Sequence, residues 1–543
     1  MIRVNQVRVP LVHSEQDILH KTAKILRVAP EKIHSWQIIK KSVDARKKPE
    51  IRVIYSVDVC VESEKRVLAA CKSGQVDKVT IKPYEFPKEG QERLDYRPVI
   101  IGTGPAGLFC GYQLAKNGYK PLILERGKCV EERMQDVEKF WRDGVLNPKS
   151  NVQFGEGGAG TFSDGKLNTL VKDKLGRNRE VLKIFVEAGA PEEILYEAKP
   201  HIGTDILCKV VRNLREQIEA WGGQIRFDAQ VTDLCMDGKR ITGVVVNDTE
   251  TIPCETVVLA IGHSARDTFE MLDKRLVPME AKSFAVGLRI EHPRRLINKI
   301  QYGQEEHPLL PAANYKVTAQ TSSGRGVYSF CMCPGGYVVN ASSEQERLAV
   351  NGMSYSGRDS DNSNSAVVVT VTPEDYEDDY EDDSPLSGVY FQRRLEEKAY
   401  QVGAGAIPVE IYGDYRRAVT GQKRDLPAVC QEYPGFAPAV KGAYRMANVH
   451  DILPPALNEA LVEGIDLIGQ TMQGFADEGA YLSGIESRTS SPVRIMRDET
   501  GQSFIQGLYP CGEGAGYAGG ITSAAMDGMF IAEKIGARYQ KPA

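Results

Sequence analysis

Several features are missing from this chain of 543 residues, and each absence removes a class of protein. Its eleven cysteines are odd in number, scattered, and contain no Cys-x-x-Cys pair, so neither a disulfide framework nor a zinc ribbon is expected, and a reducing compartment fits. No stretch approaches the roughly 18 uninterrupted apolar residues of a membrane-spanning helix. The start, MIRVNQVRVPLVHSEQ, has no apolar core followed by a small-residue cleavage site, which makes a cytoplasmic location the expectation. Basic excess is absent as well. With a net charge of -5 the chain has no overall attraction for nucleic acid or an anionic membrane, and neither is expected as a partner.

What is present is ordinary globular composition, 42% apolar and 26% charged, on a chain too long for a single core. The stretch that organises the rest is RPVIIGTGPAGLFCGYQLAKNGYKPLILERG, Arg97 to Gly127. Val99 to Ile101 reads as a short buried strand. Gly102, Gly104 and Gly107 then open a helix through Pro105 and Ala106, and a second strand ends on Glu125 and Arg126. Gly102 permits a tight turn, Gly104 lets a pyrophosphate approach the backbone, and Gly107 allows close helix–strand packing. The helix N-terminus offers unpaired N–H groups to phosphate. Glu125 stands where a carboxylate can accept both ribose hydroxyls and repel a 2′-phosphate, so the turn suits FAD or NAD rather than NADP.

Before this stretch, residues 1–95 read as a separate βαββαβ unit, which suggests a ferredoxin-like sandwich. Its strands are expected at Ile2 to Val12, Ser35 to Val43, Ile51 to Val61 and Val79 to Ile81. Its helices start at the Ser14 capping box and at Glu64. A basic run, Lys40 to Lys48, joins the two middle strands. It could meet RNA or a phosphorylated ligand, but no aromatic residue interleaves it, and a solvated loop is the stronger reading.

After the turn, FGEGGAGTFSDGKL places five glycines in eleven residues, Gly155 to Gly165, without a strand before or a helix pattern after. This is not a second dinucleotide fold. It reads as a loop on which backbone lies along a flavin, with Gly155, Gly157 and Gly158 as the close approach and Ser163 and Lys166 as polar contacts. Val231 is expected beside the adenine, and the strand Thr256 to Ile261 stops on Gly262. From about Ala281 to Gly479 the pattern turns to longer β-rich segments, an inserted substrate domain. Within it, Cys331 and Cys333 read as structural, since no histidine or further cysteine lies nearby, and no metal is expected. Pro373 to Asp383 is a dense acidic run expected to be solvated. The chain returns to the cofactor at GEGAGYAGGITSAAMDG, where Gly512 and Glu513 end a strand and Gly520, Ile521 and Thr522 open a final helix toward the flavin. The fold expected is thus α/β: a discontinuous Rossmann-like FAD-binding domain (96–280 and 480–543), the insert at 281–479 and the N-terminal unit at 1–95.

Taken together, KSVDARKK, GTGPAGLFCGYQLA, FGEGGAGTFSDGKLNT, YSFCMCPGGYVVNASSE, ESRTSSPVRI and GEGAGYAGGITSAAMDG resemble a bacterial FAD-dependent dehydrogenase family, often called NAD(FAD)-utilising dehydrogenases. The resemblance spans nearly the whole chain. It implies FAD, an N-terminal ferredoxin-like extension and a substrate domain inserted in the FAD fold, but no particular substrate. Isoprenoid-lipid reductases and flavoproteins that reduce steroid-like double bonds are more distant kin by fold, which is analogy alone.

The function expected is that of an FAD-dependent oxidoreductase acting on a small or lipid-like organic molecule. The missing Cys-x-x-Cys and Cys-x-x-x-x-Cys argue against a disulfide reductase of the glutathione or thioredoxin reductase type. With no second nucleotide fingerprint, NADH or NADPH would dock only transiently. The polar site candidates are Glu486, Arg488, Arg289 and His292. Arg488 could grip a substrate carboxylate or phosphate, and His292 or Glu486 could move a proton. The alternative is an FAD-containing binding or regulatory protein whose N-terminal unit contacts RNA or a protein partner.

Overall fold

Near the N-terminus, apolar residues alternate with polar ones and so select strands with one buried face. A computed structural model describes residues 1–72, 74–80, 82–376, 384–422 and 428–542. The first unit runs strand Ile2–Pro10, helix Glu15–Leu26, strands Ile33–Asp44 and Arg52–Val61, helix Glu64–Ala70 and strand Val76–Lys78. Its four strands pair antiparallel in the order 33–44, 52–61, 2–10, 76–78. Ile2, Val4, Val7 and Val9 share the buried face because a register shift between Val4 and Val7, with Gln6 at φ 59°, absorbs the odd spacing. Ser14 and Asp17 close the capping box. The last strand lies three residues earlier than the sequence pattern suggests. Val76 supplies its buried residue and Val79 already donates to the Met1 carbonyl outside the ladder, while residue 81 lies outside the described residues.

The basic run is held by partners within the chain. Lys41 pairs with Glu197 at 2.8 Å, Arg46 with Asp44 at 2.7 Å, and the Lys48 ammonium donates to the Ile300 carbonyl. Two segments from elsewhere in the fold, at Glu197 and Ile300, therefore meet this hairpin.

The second unit is built on a five-stranded parallel sheet in the order Leu508–Pro510, Val257–Leu259, Val99–Ile101, Leu122–Leu124, Gln224–Arg226. Four of its five strands are entirely buried, as a parallel sheet covered by helices requires. Helices Pro105–Lys116 and Ile521–Arg538 cross so closely that a Cβ on Gly528 would stand 2.1 Å from the Ala106 carbonyl oxygen. Segments far apart in the chain thus pack together against the parallel sheet. A three-stranded antiparallel sheet, 231–237, 240–246 and 250–253, extends beyond it.

The chain leaves through Met279–Ala281 and returns through Val493–Ile495, which pair with each other. Between them stands a seven-stranded sheet in the order 318–320, 326–333, 362–371, 284–293, 481–486, 407–411, 444–446. Tyr481–Glu486 pairs with Phe284–Pro293 and Ile407–Ile411, so the strand carrying Glu486 belongs to this sheet and not to the parallel one. The expected division after residue 479 therefore cuts off a central strand. A buried ion cluster locks the units together: Arg266 on the second unit forks onto Glu396 of helix Ser387–Gly403 at 2.7 and 2.8 Å and reaches Glu344 at 2.6 Å. Buried charges persist only when paired this fully. The acidic run has Pro373–Asp375 as a short helical turn, and residues 377–383 lie outside the described residues.

Candidate functional site

One cavity of about 710 Å³ opens between the parallel sheet and the seven-stranded sheet. Its first wall is backbone. Gly102, Gly104, Pro105 and Ala106 line it from the first turn, Gly155 and Gly158 from the glycine loop, Gly262 from the end of a sheet strand, and Gly519, Gly520 and Ile521 from the last helix. A Cβ on Gly262, Gly519 or Gly520 would meet no atom within 4 Å, and one on Gly104 only the Gly158 Cα at 3.9 Å. The fold thus leaves these approaches open for something other than protein. Helices Pro105–Lys116 and Ile521–Arg538 both start on a glycine with no side-chain cap, which leaves their first N–H groups for an anion.

The turn is strained on purpose at one place. Gly102 has φ +101°, and a Cβ there would sit 2.4 Å from the Ala260 carbonyl oxygen. Gly107 does not line the cavity but permits the helix to pack on the turn, its would-be Cβ being 2.0 Å from the Gly102 oxygen. Glu125 reaches the cavity wall, yet its oxygens are already met by four protein donors: Thr103 N–H and hydroxyl on one, and the N–H groups of Gly127 and Gly155 on the other. This carboxylate ties the turn to the glycine loop. Arg126 stacks on Phe154 at 4.3 Å and pairs with Asp267. Val231 and Ser163 line the cavity as expected. Gly157, Gly512 and Thr522 do not: Gly157 turns its free side toward Thr161 and Val211, the Gly512 N–H donates to Asp527, and the Thr522 hydroxyl to the Leu167 carbonyl. Glu513 does line it, 3.8 Å from His263. Burial lifts its carboxyl to about 7, and burial with Arg488 and Arg266 nearby pushes His263 down to about 3, so the pair is not an ion pair at neutral pH.

The second wall is made of side chains. Glu486 lines the cavity and its Oε2 accepts from Arg289 Nε at 2.8 Å. Its Oε1 takes no hydrogen bond from the described residues. Burial raises its carboxyl and Arg289 only partly opposes the rise. Arg289 itself is fully buried and stands behind Glu486, held by the Cys331 carbonyl and the side-chain oxygens of Asn364 and Asn351. It positions and does not reach the cavity. Arg488 reaches the wall, with its fork on Glu396 at 2.9 and 2.7 Å and its third nitrogen on Ser343 at 2.5 Å, so within the protein it is held by the insert. His292 is misplaced by the sequence reading. Three residues beyond Arg289 on one strand, it falls on the opposite face, where Nε2 meets the Phe475 carbonyl at 2.8 Å in the apolar core.

Cys331 and Cys333 flank a register shift in their strand, with Cys331 at φ 41°. The shift aims the Cys331 carbonyl at Arg289 and the Met332 carbonyl at the Lys166 ammonium. Cys331 is exposed to the cavity and Cys333 is buried; burial pushes the Cys333 thiol up to about 11, which disfavours its thiolate. Among the described residues no group of His, Cys, Asp and Glu could hold a metal. Asn351, Lys199, Asn314, Lys316 and Arg358 also line the cavity. Nothing local in the sequence marks them, because they arrive from four separate segments.

Family models match three stretches. A pyridine nucleotide-disulphide oxidoreductase model matches residues 96–268, an FAD-dependent protein C-terminal domain-like model residues 283–489, and a domain of unknown function residues 1–60. A protein of Clostridium beijerinckii, itself uncharacterised, is 46% identical over 100% of this chain and 99% of its own length. The chain belongs to the FAD-dependent oxidoreductases. FAD is the cofactor of this enzyme, and the uncapped glycine starts of two helices on an open backbone wall fit it. A digeranylgeranylglycerophospholipid reductase of Haloferax volcanii is 27% identical over 36% of this chain and 42% of that protein. Among solved structures, a glycine oxidase from Bacillus cereus aligns over 81% of this chain and 95% of that one, at 13% identity and a TM-score of 0.32, a likeness that carries no argument. No described helix is long and apolar enough to cross a membrane.

Proposed function

We propose that this oxidoreductase moves hydride between its flavin and a small or lipid-like organic substrate, with Glu486 as the residue that transfers the accompanying proton. The observation that carries the reading is the free Oε1 of Glu486 on the wall of the same cavity as the glycine cradle. FAD, when bound, supplies the two-electron chemistry. Gly102, Gly104, Gly158 and the start of helix Ile521–Arg538 hold the dinucleotide through backbone, and Val231 borders the adenine end. Glu513, its carboxyl raised to about 7 by burial, would meet the flavin side of the cavity.

Glu486 works because burial favours its protonated form while Arg289 keeps the ionised form accessible, so it can both give and take a proton. Arg289 fixes its orientation, and Asn364, Asn351 and the bulged Cys331 carbonyl fix Arg289 in turn. The buried Arg266–Glu396–Arg488 cluster keeps the insert seated against the FAD-binding unit and water away from the wall. We read the N-terminal unit as a ferredoxin-like domain on its strand order, with the substrate domain inserted between the two parts of the FAD fold. NADH or NADPH would serve as a transient donor, for which no separate nucleotide fold is present. Anaerobic stopped-flow mixing with each nicotinamide tests the reading: bleaching of the oxidised flavin band supports it, and a flavin that neither donor reduces and no organic oxidant or reductant turns over removes it.

A further inference from the structure

Part of the cavity lining, with Lys199 and Lys316 at its exposed margin, carries positive charge that the protein does not fully balance. Lys166, Lys199, Lys316 and Arg358 all line it. The one carboxylate among them, Asp164, accepts from Arg358 at 2.6 Å and lies 3.7 Å from Lys166. Glu486, deeper in, already pairs with Arg289. Lys199 and Lys316 have no carboxylate partner among the described residues, and the Lys199 ammonium donates only to the Asn314 side-chain oxygen. Burial chiefly, and the charge of Lys166 in addition, push the Lys199 ammonium down. One further donor, Arg358 Nε, is buried with no acceptor.

These groups come from segments around residues 166, 199, 316 and 358, so local chain geometry does not force them together. The chain as a whole is acidic at net -5, which makes a basic cavity mouth a local feature that focuses anions toward the site. The lining also includes the apolar Phe330, Met332 and Tyr315, the last two buried, and Leu170, which stands 90% exposed. Single exposed leucines are common, but this one borders the entrance.

We propose that the cavity takes an organic anion whose carboxylate or phosphate is held at the rim by Lys199, Lys316 and Arg358, with its apolar body directed past Phe330 and Tyr315 toward Glu486. This rests on the oxidoreductase reading and names its substrate class. Lys199 and Lys316 hold the head by charge. Arg358, fixed by Asp164, adds a directed N–H.

The test uses the full chain loaded with FAD and follows the flavin absorption spectrum on titration with phenylacetate, phenyl phosphate, the neutral 2-phenylacetamide and inorganic phosphate. The expected result is that phenylacetate or phenyl phosphate perturbs the flavin at lower concentration than the amide or inorganic phosphate. Substituting both lysines, Lys199→Gln with Lys316→Gln, should weaken the anion about tenfold while leaving the amide and the flavin content unchanged, the loss of one good charged contact. Added salt should weaken the anion in the parent chain and less so in the double variant. The proposal is overturned if the amide binds as well as the anions, if inorganic phosphate matches phenyl phosphate, if no probe perturbs the flavin, or if the double variant binds phenylacetate unchanged. It is also overturned if that variant loses only reduction by NADPH relative to NADH, which would assign the lysines to the donor's phosphate. A chain that holds no reducible flavin sinks the oxidoreductase reading itself, whereas a reducible flavin indifferent to ligand charge sinks this inference alone.

Discussion

The two walls of the cavity are made on opposite principles. On the cradle side the protein contributes almost no side chains: Gly104, Gly158, Gly262, Gly519 and Gly520 present backbone and two uncapped helix starts. On the facing side the lining is largely side chain, with Glu486, Arg488, Lys199 and Arg358 brought in from remote strands and loops. Backbone recognises what every flavin dinucleotide shares, phosphates and an extended shape. Side chains recognise what differs from one substrate to another. The cradle should therefore fail through steric contact, and the facing wall through lost charge or lost proton transfer.

The sharpest break is at Gly102. Gly102→Ala forces a side chain into φ +101° and 2.4 Å from the Ala260 oxygen, so the chain should lose about 3 kcal/mol or more of stability, read as a large fall in Tm whether or not FAD is present. On the other wall, Glu486→Gln keeps shape but removes the titrating proton. Turnover should drop about a hundredfold or more and lose its pH-dependent limb, with flavin content unchanged, as steady-state pH profiles would show. If flavin is lost instead, Glu486 belongs to the cradle and the division between walls is wrong.

Gly104 tests the cradle without touching the fold. Its φ of -66° suits any residue and a Cβ there would approach only the Gly158 Cα at 3.9 Å. Gly104→Ala should leave the Tm of the apoprotein in place and weaken FAD about tenfold or more, measured by fluorescence on reconstitution. The smallest effect lies behind the side-chain wall. Burial lifts the Glu291 carboxyl from its ordinary 4.5 to about 7 against Asn362 and the Ala439 N–H. A raised acid is favoured protonated in the fold, so its contribution is present below about 4.5 and is lost as pH rises through about 7. Glu291→Gln should flatten that part of the stability profile, seen as a smaller fall in apoprotein Tm between mildly acid and neutral buffer.

The two walls also differed in how far the sequence revealed them. Gly102, Gly104 and Gly107, the strand before them and Glu125 lie within one short stretch, so their spacing alone places a nucleotide turn. Even there the sequence could not show that Thr103, Gly127 and Gly155 take up the Glu125 oxygens, since Gly155 is 30 residues away. The facing wall was only partly legible. Glu486 was found by its place in a motif, but strand alternation sent His292 into the core and Glu396, unmarked in a helix, took the fork of Arg488. Lys199, Lys316 and Arg358 carry no local pattern at all, because what joins them is the seating of the insert and not the chain between them.

The most direct measurement is the flavin content of the purified chain beside that of Gly104→Val, each released by denaturation and identified by its absorption and chromatographic mobility. The account predicts near-stoichiometric FAD in the parent chain, taken up again after removal, and a folded but flavin-free variant. A parent chain that is colourless and binds no FAD on reconstitution, or a variant that keeps its flavin in full, would contradict it.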